Sequence, residues 1–457
     1  MADNSSAQPF HSVTLDSDKC KGCINCIKRC PTQAIRVRNG KARIIDERCI
    51  DCGECIRVCQ HHAKLPIFDP LSALDKYKYR VALPAPSLFG QFDLPDGAGV
   101  IIKALLEFGF DDVYEVAKAA EIVSDRTREL MEEDNGLPRP LISTACPAII
   151  RLIRIRFPGL IKHLLPLKAP IELAARMALE RAKTARPDLA REEIGIIFIS
   201  PCAAKVTATR AAQGGEKSEV DAVIAIKDIY PKLLPTIKKT GESGGGGNKD
   251  ESGGSVNKDK SGGGNMEAIG AGKTGISWCG SGGESAALPD GNCLAADGIE
   301  NVIKVLEDLE VEKLGELDYI ELNACPAGCV GGILTVENAY VAVARIKRLR
   351  KSMPASLNRY SADMSELVER EAVVVPDPAL QLSGDYNEAL DKMKQIKQLL
   401  EDLPGLDCGS CGAPTCEALA EDVAGGRANV NDCIFKLRDY LQKLLEDMQK
   451  EDMQKEE

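Results

Sequence analysis

Eighteen cysteines stand in a chain of 457 residues, and most fall at spacings that suit iron better than disulfides. The run Cys20-x2-Cys23-x2-Cys26-x3-Cys30-Pro31 recurs as Cys49-x2-Cys52-x2-Cys55-x3-Cys59. Three thiolates spaced in this way can wrap one cubane, and the fourth reaches across to a neighbouring one. The spacing therefore assigns Cys20, Cys23, Cys26 and Cys59 to one 4Fe–4S cluster, and Cys49, Cys52, Cys55 and Cys30 to another. Zinc is the alternative for any thiolate run, but an eight-cysteine repeat within residues 13–65 disfavours it. Gln60 stands where a second proline would match Pro31.

A third pattern, Cys408-x2-Cys411-x4-Cys416-x16-Cys433, sets three thiolates in the glycine-rich turn CGSCGAPTC. Exposed backbone N–H groups in such a turn can bond cluster sulfurs, and Cys433 would return from a helix. Zinc is again the alternative. Four more cysteines are dispersed: Cys146, Cys202, Cys325 and Cys329. The segments PLISTACP, IIFISPCAAK and YIELNACPAGC place the first three just after predicted strands. Ligand sites in open α/β sheets form outside the carboxyl ends of strands, so these ends, with a fourth at ALPAPS, could gather four thiolates. Buried structural cysteine is the alternative. These assignments leave Cys279 and Cys293; Cys293 is expected in a loop.

The elements that must position these residues follow from periodicity. Tyr79–Leu83, Leu141–Ala145, Ile194–Ser200, Ala222–Ile226 and Tyr319–Leu322 read as strands alternating with helical segments, which predicts an α/β sheet. The organisation expected is multidomain: a two-cluster domain at 13–70, an α/β domain at 76–345, a helical connector at 346–400, and a small mainly helical 4Fe–4S domain at 401–440; the family resemblances given below imply that the first is ferredoxin-like α+β and the second two-lobed, with the site between its lobes. Residues 240–265, rich in Gly, Ser and Lys, are expected to be a flexible insertion, since they cannot bury apolar area. The tail LQKLLEDMQKEDMQKEE reads as a solvated amphipathic helix. With 44% hydrophobic and 28% charged residues the composition is that of a globular protein, and two to four domains are expected. A net charge of −11 argues against nucleic acid and anionic lipid as partners. No apolar run suits a membrane span and no leader is evident, so a cytoplasmic location is expected.

The N-terminal repeat has the spacing of two-cluster bacterial ferredoxins. The segments STACPA, SPCAAK and ELNACPAGCVGG, in that order, resemble the three signature stretches of the diiron (FeFe) hydrogenases over about residues 78–335. The resemblance implies a 4Fe–4S cluster on Cys146, Cys202, Cys325 and Cys329, with Cys329 bridging to a two-iron centre that carries CO, cyanide and a dithiolate. It implies that Lys205 hydrogen-bonds a cyanide and that Pro86 and Ser87 contact the diiron unit. An ammonium at a strand end could neutralise an anionic ligand in a dry pocket. The C-terminal motif resembles a small 4Fe–4S domain of several redox and corrinoid-linked proteins.

The departures are informative. Ala145 stands where efficient members have a proton-relaying cysteine. Ser200 and Asn323 replace methionines, and the paired glutamates of the usual proton path are not identifiable near Asp125–Leu130. The run WCGSGGES resembles a stretch facing the diiron unit but carries Cys279, which is either a replacement thiol or a small buried side chain. The pattern resembles the sensory branch of the family: four 4Fe–4S clusters and a diiron subcluster, with Cys329 and Lys205 at the reacting centre, slow turnover of hydrogen and protons, and electrons passed to a redox partner such as ferredoxin or a signalling protein. A homodimer is a further candidate assembly. Two rivals are an electron-transfer or cluster-carrier protein without the diiron centre and a metabolic hydrogenase; Lys205, the APS stretch and Cys329 speak against the first, Ala145 against the second.

Overall fold

The structure is a computed structural model that describes residues 10–94, 97–133, 136–211, 217–243, 270–288, 291–370 and 372–456. The chain divides into two compact units, one of Met1–Pro66, Arg154–Pro158 and Pro376–Glu457, the other of Ile67–Ile153 and Gly159–Val375.

In the first unit β1 (Val13–Leu15) pairs antiparallel with β4 (Lys64–Pro66), and β2 (Ile35–Arg38) with β3 (Lys41–Ile44). Asn39 and Gly40 both take positive φ, the twist that lets two residues close the β2–β3 hairpin. The sequence repeat is a backbone repeat. Gly22 and Asp51, each two residues after the first cysteine of a run, have φ of 67° and 52°. Gln33 and His62, each three after the last cysteine, have φ of 52° and 48°. The C-terminal part of this unit is helical: Tyr386–Asp402, Cys416–Ala424 and Ile434–Glu456. Asp385 and Thr415 cap the first two by accepting from Glu388 N and Ala418 N. Their small core joins Ile396 and Leu403 to Ala413, Ala418, Leu419 and Ala420.

The second unit contains two parallel sheets among the described residues. One has the order β6 (Asp112–Val113), β5 (Tyr79–Pro84), β8 (Ile194–Ser200), β9 (Ala222–Ala225); the other β10 (Cys293–Asp297), β11 (Tyr319–Asn323), β7 (Leu141–Ile142). Every residue of β8 is buried, as a parallel strand covered on both faces requires. The helices Gly99–Phe108 and Ile226–Ser243 cover the first sheet; Ile101, Leu105, Ile229 and Leu233 are buried with Ile197, Ile199 and Ile224. Each such side chain contributes roughly 1.5–3 kcal/mol.

Three expectations change. Cys293 begins β10 rather than lying in a loop. The strand at Leu141 stops at Ile142, because the Ser143 and Thr144 hydroxyls bond Glu284 and Leu167 O. The stretch 346–400 is not a continuous helical connector: between the helices Ala339–Leu349 and Tyr386–Asp402 its backbone bonds other elements, with Leu357 and Asn358 donating to Glu121 and Tyr360 to Asp125. Residues 401–440 share one compact unit with the N-terminal repeat. Of the insertion expected at 240–265, residues 240–243 end a helix, and the rest lies outside the described residues. No helix of the described residues is long and apolar enough to cross a membrane.

Candidate metal centres

In the second unit four strand ends converge. β7 leads to Cys146, whose carbonyl accepts from Ile149 N and Ile150 N as a helix opens. β8 leads through Pro201 to Cys202, the N-cap residue of the helix Ala203–Arg210. β11 leads to Cys325 and a tight reversal in which Ala327 and Gly328 have φ of 61° and 88° before Cys329. Only glycine fits at 328: a Cβ there would lie 2.7 Å from Ser281 N and 2.9 Å from Cys279 O. β5 leads to the short helix Pro86–Phe89. The loops after β8 and β11 touch, since Leu334 N donates to Pro201 O at 2.9 Å.

The result is a cavity lined by Ser87, Ala145, Lys205, Cys279, Glu284 and Cys329, among others. Lys205 Nζ lies 3.4 Å from Cys329 Sγ. Burial opposes the Lys205 charge, but thiolates at Cys329, Cys202 and Cys146 outweigh it and hold the ammonium well above lysine's ordinary pKa. Burial pushes the Cys202 thiol up to about 11, and Cys146 upward too, with Lys205 opposing both shifts. Ser87 Oγ is buried without a hydrogen-bond partner and faces this cavity. Cys279 donates to Ile276 O at 3.1 Å, and burial raises its pKa.

The first unit gathers three more sets. Burial pushes Cys26 up to about 11, with Cys23, Cys20 and Cys59 adding to the shift. Burial pushes Cys55 up to about 12, with Cys30 contributing, and Cys49 feels Cys30 and Cys55. Cys55 also feels Cys26 of the other run, so thiols of both runs lie close together. Ala34 N donates to Cys30 Sγ at 3.1 Å, Ala42 N to Cys20 Sγ at 3.3 Å and Ala63 N to Cys59 Sγ at 3.3 Å. Cys411 feels Cys433 and Cys408, and Cys411, Cys416 and Cys433 share one core. The C-terminal cysteine loop lies on the first turn of the repeat. Val37 N donates to Gly412 O at 2.8 Å, Lys28 Nζ to Pro414 O at 3.0 Å and Arg38 Nη1 to Cys411 O at 2.6 Å.

The model of the family "Iron only hydrogenase large subunit, C-terminal domain" matches residues 78–333, more than half of the chain. The chain belongs to this family. A 4Fe-4S dicluster domain model matches residues 12–60, and an Fe-S cluster model residues 403–435. The "NADP-reducing hydrogenase subunit HndD" of Solidesulfovibrio fructosivorans is 26% identical over 230 residues, 42% of this chain and 39% of that one. The periplasmic Fe hydrogenase large subunit of Nitratidesulfovibrio vulgaris is 26% identical over 365 residues, 71% of this chain and 86% of that one. This chain thus spans well under half of the first relative and most of the second. A solved FeFe-hydrogenase from Chlamydomonas reinhardtii is 17% identical at a TM-score of 0.45, covering 66% of this chain and 98% of that one.

The residues of this hydrogenase-family chain fit iron groups. Buried thiols that raise one another's pKa need a cationic centre to be held as thiolates, and N–H groups directed at sulfur stabilise the charge that a cluster leaves there. The unpartnered Ser87 Oγ and the Lys205 ammonium offer donors to an anionic ligand in the cavity.

Sequence reasoning missed a second layer. Glu284 is buried, lines the cavity, and shares hydrogen bonds with Ser143 Oγ and with Tyr319 OH at 3.0 Å. Glu321 accepts from Gly282 N, Glu284 N, Ser285 N, Ser285 Oγ and Asn323 Nδ2. Burial, with the Glu321 charge beside it, raises the Glu284 pKa; burial raises that of Glu321 as well, against the pull of its five donors. The available signal was a glutamate within the apolar strand YIELN and another ending WCGSGGE.

Proposed function

We propose that this chain is a slow hydrogenase-type oxidoreductase of the sensory kind, with four 4Fe–4S clusters and a diiron centre. One observation carries the reading: Lys205 Nζ stands 3.4 Å from Cys329 Sγ in a buried cavity that also presents the unpartnered Ser87 Oγ. Cys146, Cys202, Cys325 and Cys329 would hold one cluster, with Cys329 the bridging ligand. When bound, the diiron unit supplies the metal at which hydrogen is split or formed.

The chain's residues do the rest. Lys205 neutralises the anionic side of the site, and Pro86 and Ser87 close it. Ala145 cannot relay a proton. Glu284, on the same cavity, accepts from Ser143 Oγ and Tyr319 OH, and with its pKa raised by burial it offers an exchange point that the thiol would otherwise supply. The three sets of the first unit would conduct electrons to or from a ferredoxin or a signalling partner. The Cys408 loop abuts the turn between Cys23 and Lys28, so the C-terminal cluster would exchange with the Cys20–Cys23–Cys26–Cys59 set. Iron counting, infrared spectroscopy and a hydrogen turnover assay on matured protein test this reading. Carbonyl and cyanide bands with slow turnover support it. Absence of those bands from a fully matured sample would leave an electron carrier.

A further inference from the structure

Lys64 is 2% exposed, and its Nζ is buried without a hydrogen-bond partner among the described residues. An ammonium in that state is costly unless another charge compensates it. Lys64 lies on β4, five residues after Cys59, next to Ala63 whose N–H donates to Cys59 Sγ. The equivalent place in the other half of the repeat, five residues after Cys30, is Ile35, an ordinary core side chain. The repeat thus accepts an alkyl group here and carries a cation in one half only. The buried carboxylate of Asp51 is engaged by His11 Nδ1 at 2.9 Å and by Ser12 N at 3.1 Å. The Lys64 charge acts on Cys26 and Cys59 of one set and on Cys30 and Cys55 of the other.

We propose that Lys64 is the shared counter-charge of the two N-terminal clusters, a buried ammonium that favours the reduced form of both and raises their potentials together. The inference rests on the four-cluster reading above. Each reduction takes one electron from a one-electron protein carrier or from the hydrogen site, and that donor is oxidised by one electron. Each reduction is electron transfer alone, with no proton taken up. The added negative charge meets a fixed positive one in a low-dielectric interior, where the attraction is strong. A packing role alone would be met by any unbranched side chain of similar length.

The test is potentiometric EPR on the full chain with reconstituted clusters, comparing wild type with Lys64→Met and Lys64→Gln. Both N-terminal potentials should fall in each neutral variant by at least tenfold in the reduction equilibrium, 59 mV for a one-electron couple. Lys64→Arg should keep them near wild type. The C-terminal cluster is the internal reference, since its thiols face Lys28 and Arg38 instead. A neutral variant with wild-type iron content and unshifted potentials overturns the inference, as does a shift of equal size at the C-terminal cluster. Wild-type protein without the N-terminal irons would instead overturn the cluster reading itself.

Discussion

Arg36 and Asp422, 386 positions apart, meet in a buried ion pair: Nε donates to Oδ2 at 2.6 Å, and the side chains are 6% and 3% exposed. The same carboxylate receives Arg38 at 3.2 Å and Arg427 at 3.4 Å. Arg36 sits on β2 just after the first cysteine run, and Asp422 on the helix that begins at Cys416. The pair therefore fastens the C-terminal cysteines to the N-terminal repeat.

Removing the carboxylate leaves a buried guanidinium uncompensated, which typically costs about 3–5 kcal/mol. Asp422→Ala should destabilise the first unit by about that much in denaturant unfolding and open residues 403–415 to protease. Arg38→Ala should cost far less, its side chain being 28% exposed. An Asp422→Ala protein as stable as wild type would mean that the Val37–Gly412 backbone pairing holds the two ends together without the ion pair.

Metal content gives a second check. Sixteen cysteines on four cubanes predict about sixteen irons before any diiron unit. Cys408→Ser or Cys411→Ser should remove about four and leave the remainder, read by iron and zinc analysis together. Zinc in their place, or no loss of iron, would refute the C-terminal cluster.

The cysteine framework was legible because metal ligation writes itself into local spacing. The doubled run and the strands Ile194–Ser200 and Tyr319–Leu322 could be read from sequence, the second one residue short of the observed end at Asn323. Lys64 and Asp422 could not. Each looks like an ordinary surface charge until tertiary packing brings it to a buried position, Lys64 on β4 beside Ala63 and Asp422 against Arg36. The irregular stretch after Leu349 was hidden for a related reason: it is held by Glu121 and Asp125, carboxylates far away in sequence.

Lys205 can be tested separately from the cubanes. Lys205→Met keeps the length and removes the charge beside Cys329. Iron in the four cubanes should persist, while the cyanide infrared bands shift or vanish. Turnover should drop by about 10²–10³-fold, the usual loss when one preorganised donor is removed. An unchanged infrared spectrum would show that Lys205 serves only to balance the thiolates.

The last prediction concerns proton supply at Ala145 and Glu284, which line one cavity. A positioned acid or base is typically worth ~10²–10⁴-fold, so wild-type turnover should trail relay-competent hydrogenases by about that order. If Glu284 carries the residual exchange, Glu284→Gln should lower turnover further, while Ala145→Cys should bring at most a modest gain because the layer behind it is Glu284, Ser143 and Tyr319 rather than the usual path. Stability gives an independent reading of Glu284. Its pKa is raised in the folded chain above the ordinary 4.5. Below that value both folded and unfolded chains are protonated. As pH climbs from 4.5 through the raised value the unfolded chain has already lost its proton, so the contribution to stability declines. Glu284→Gln removes this slope, and its melting temperature relative to wild type should rise steadily between mildly acidic and alkaline pH. A variant that melts in parallel with wild type at every pH would show that Glu284 is ionised in the fold, and with it the proposed exchange point would fall.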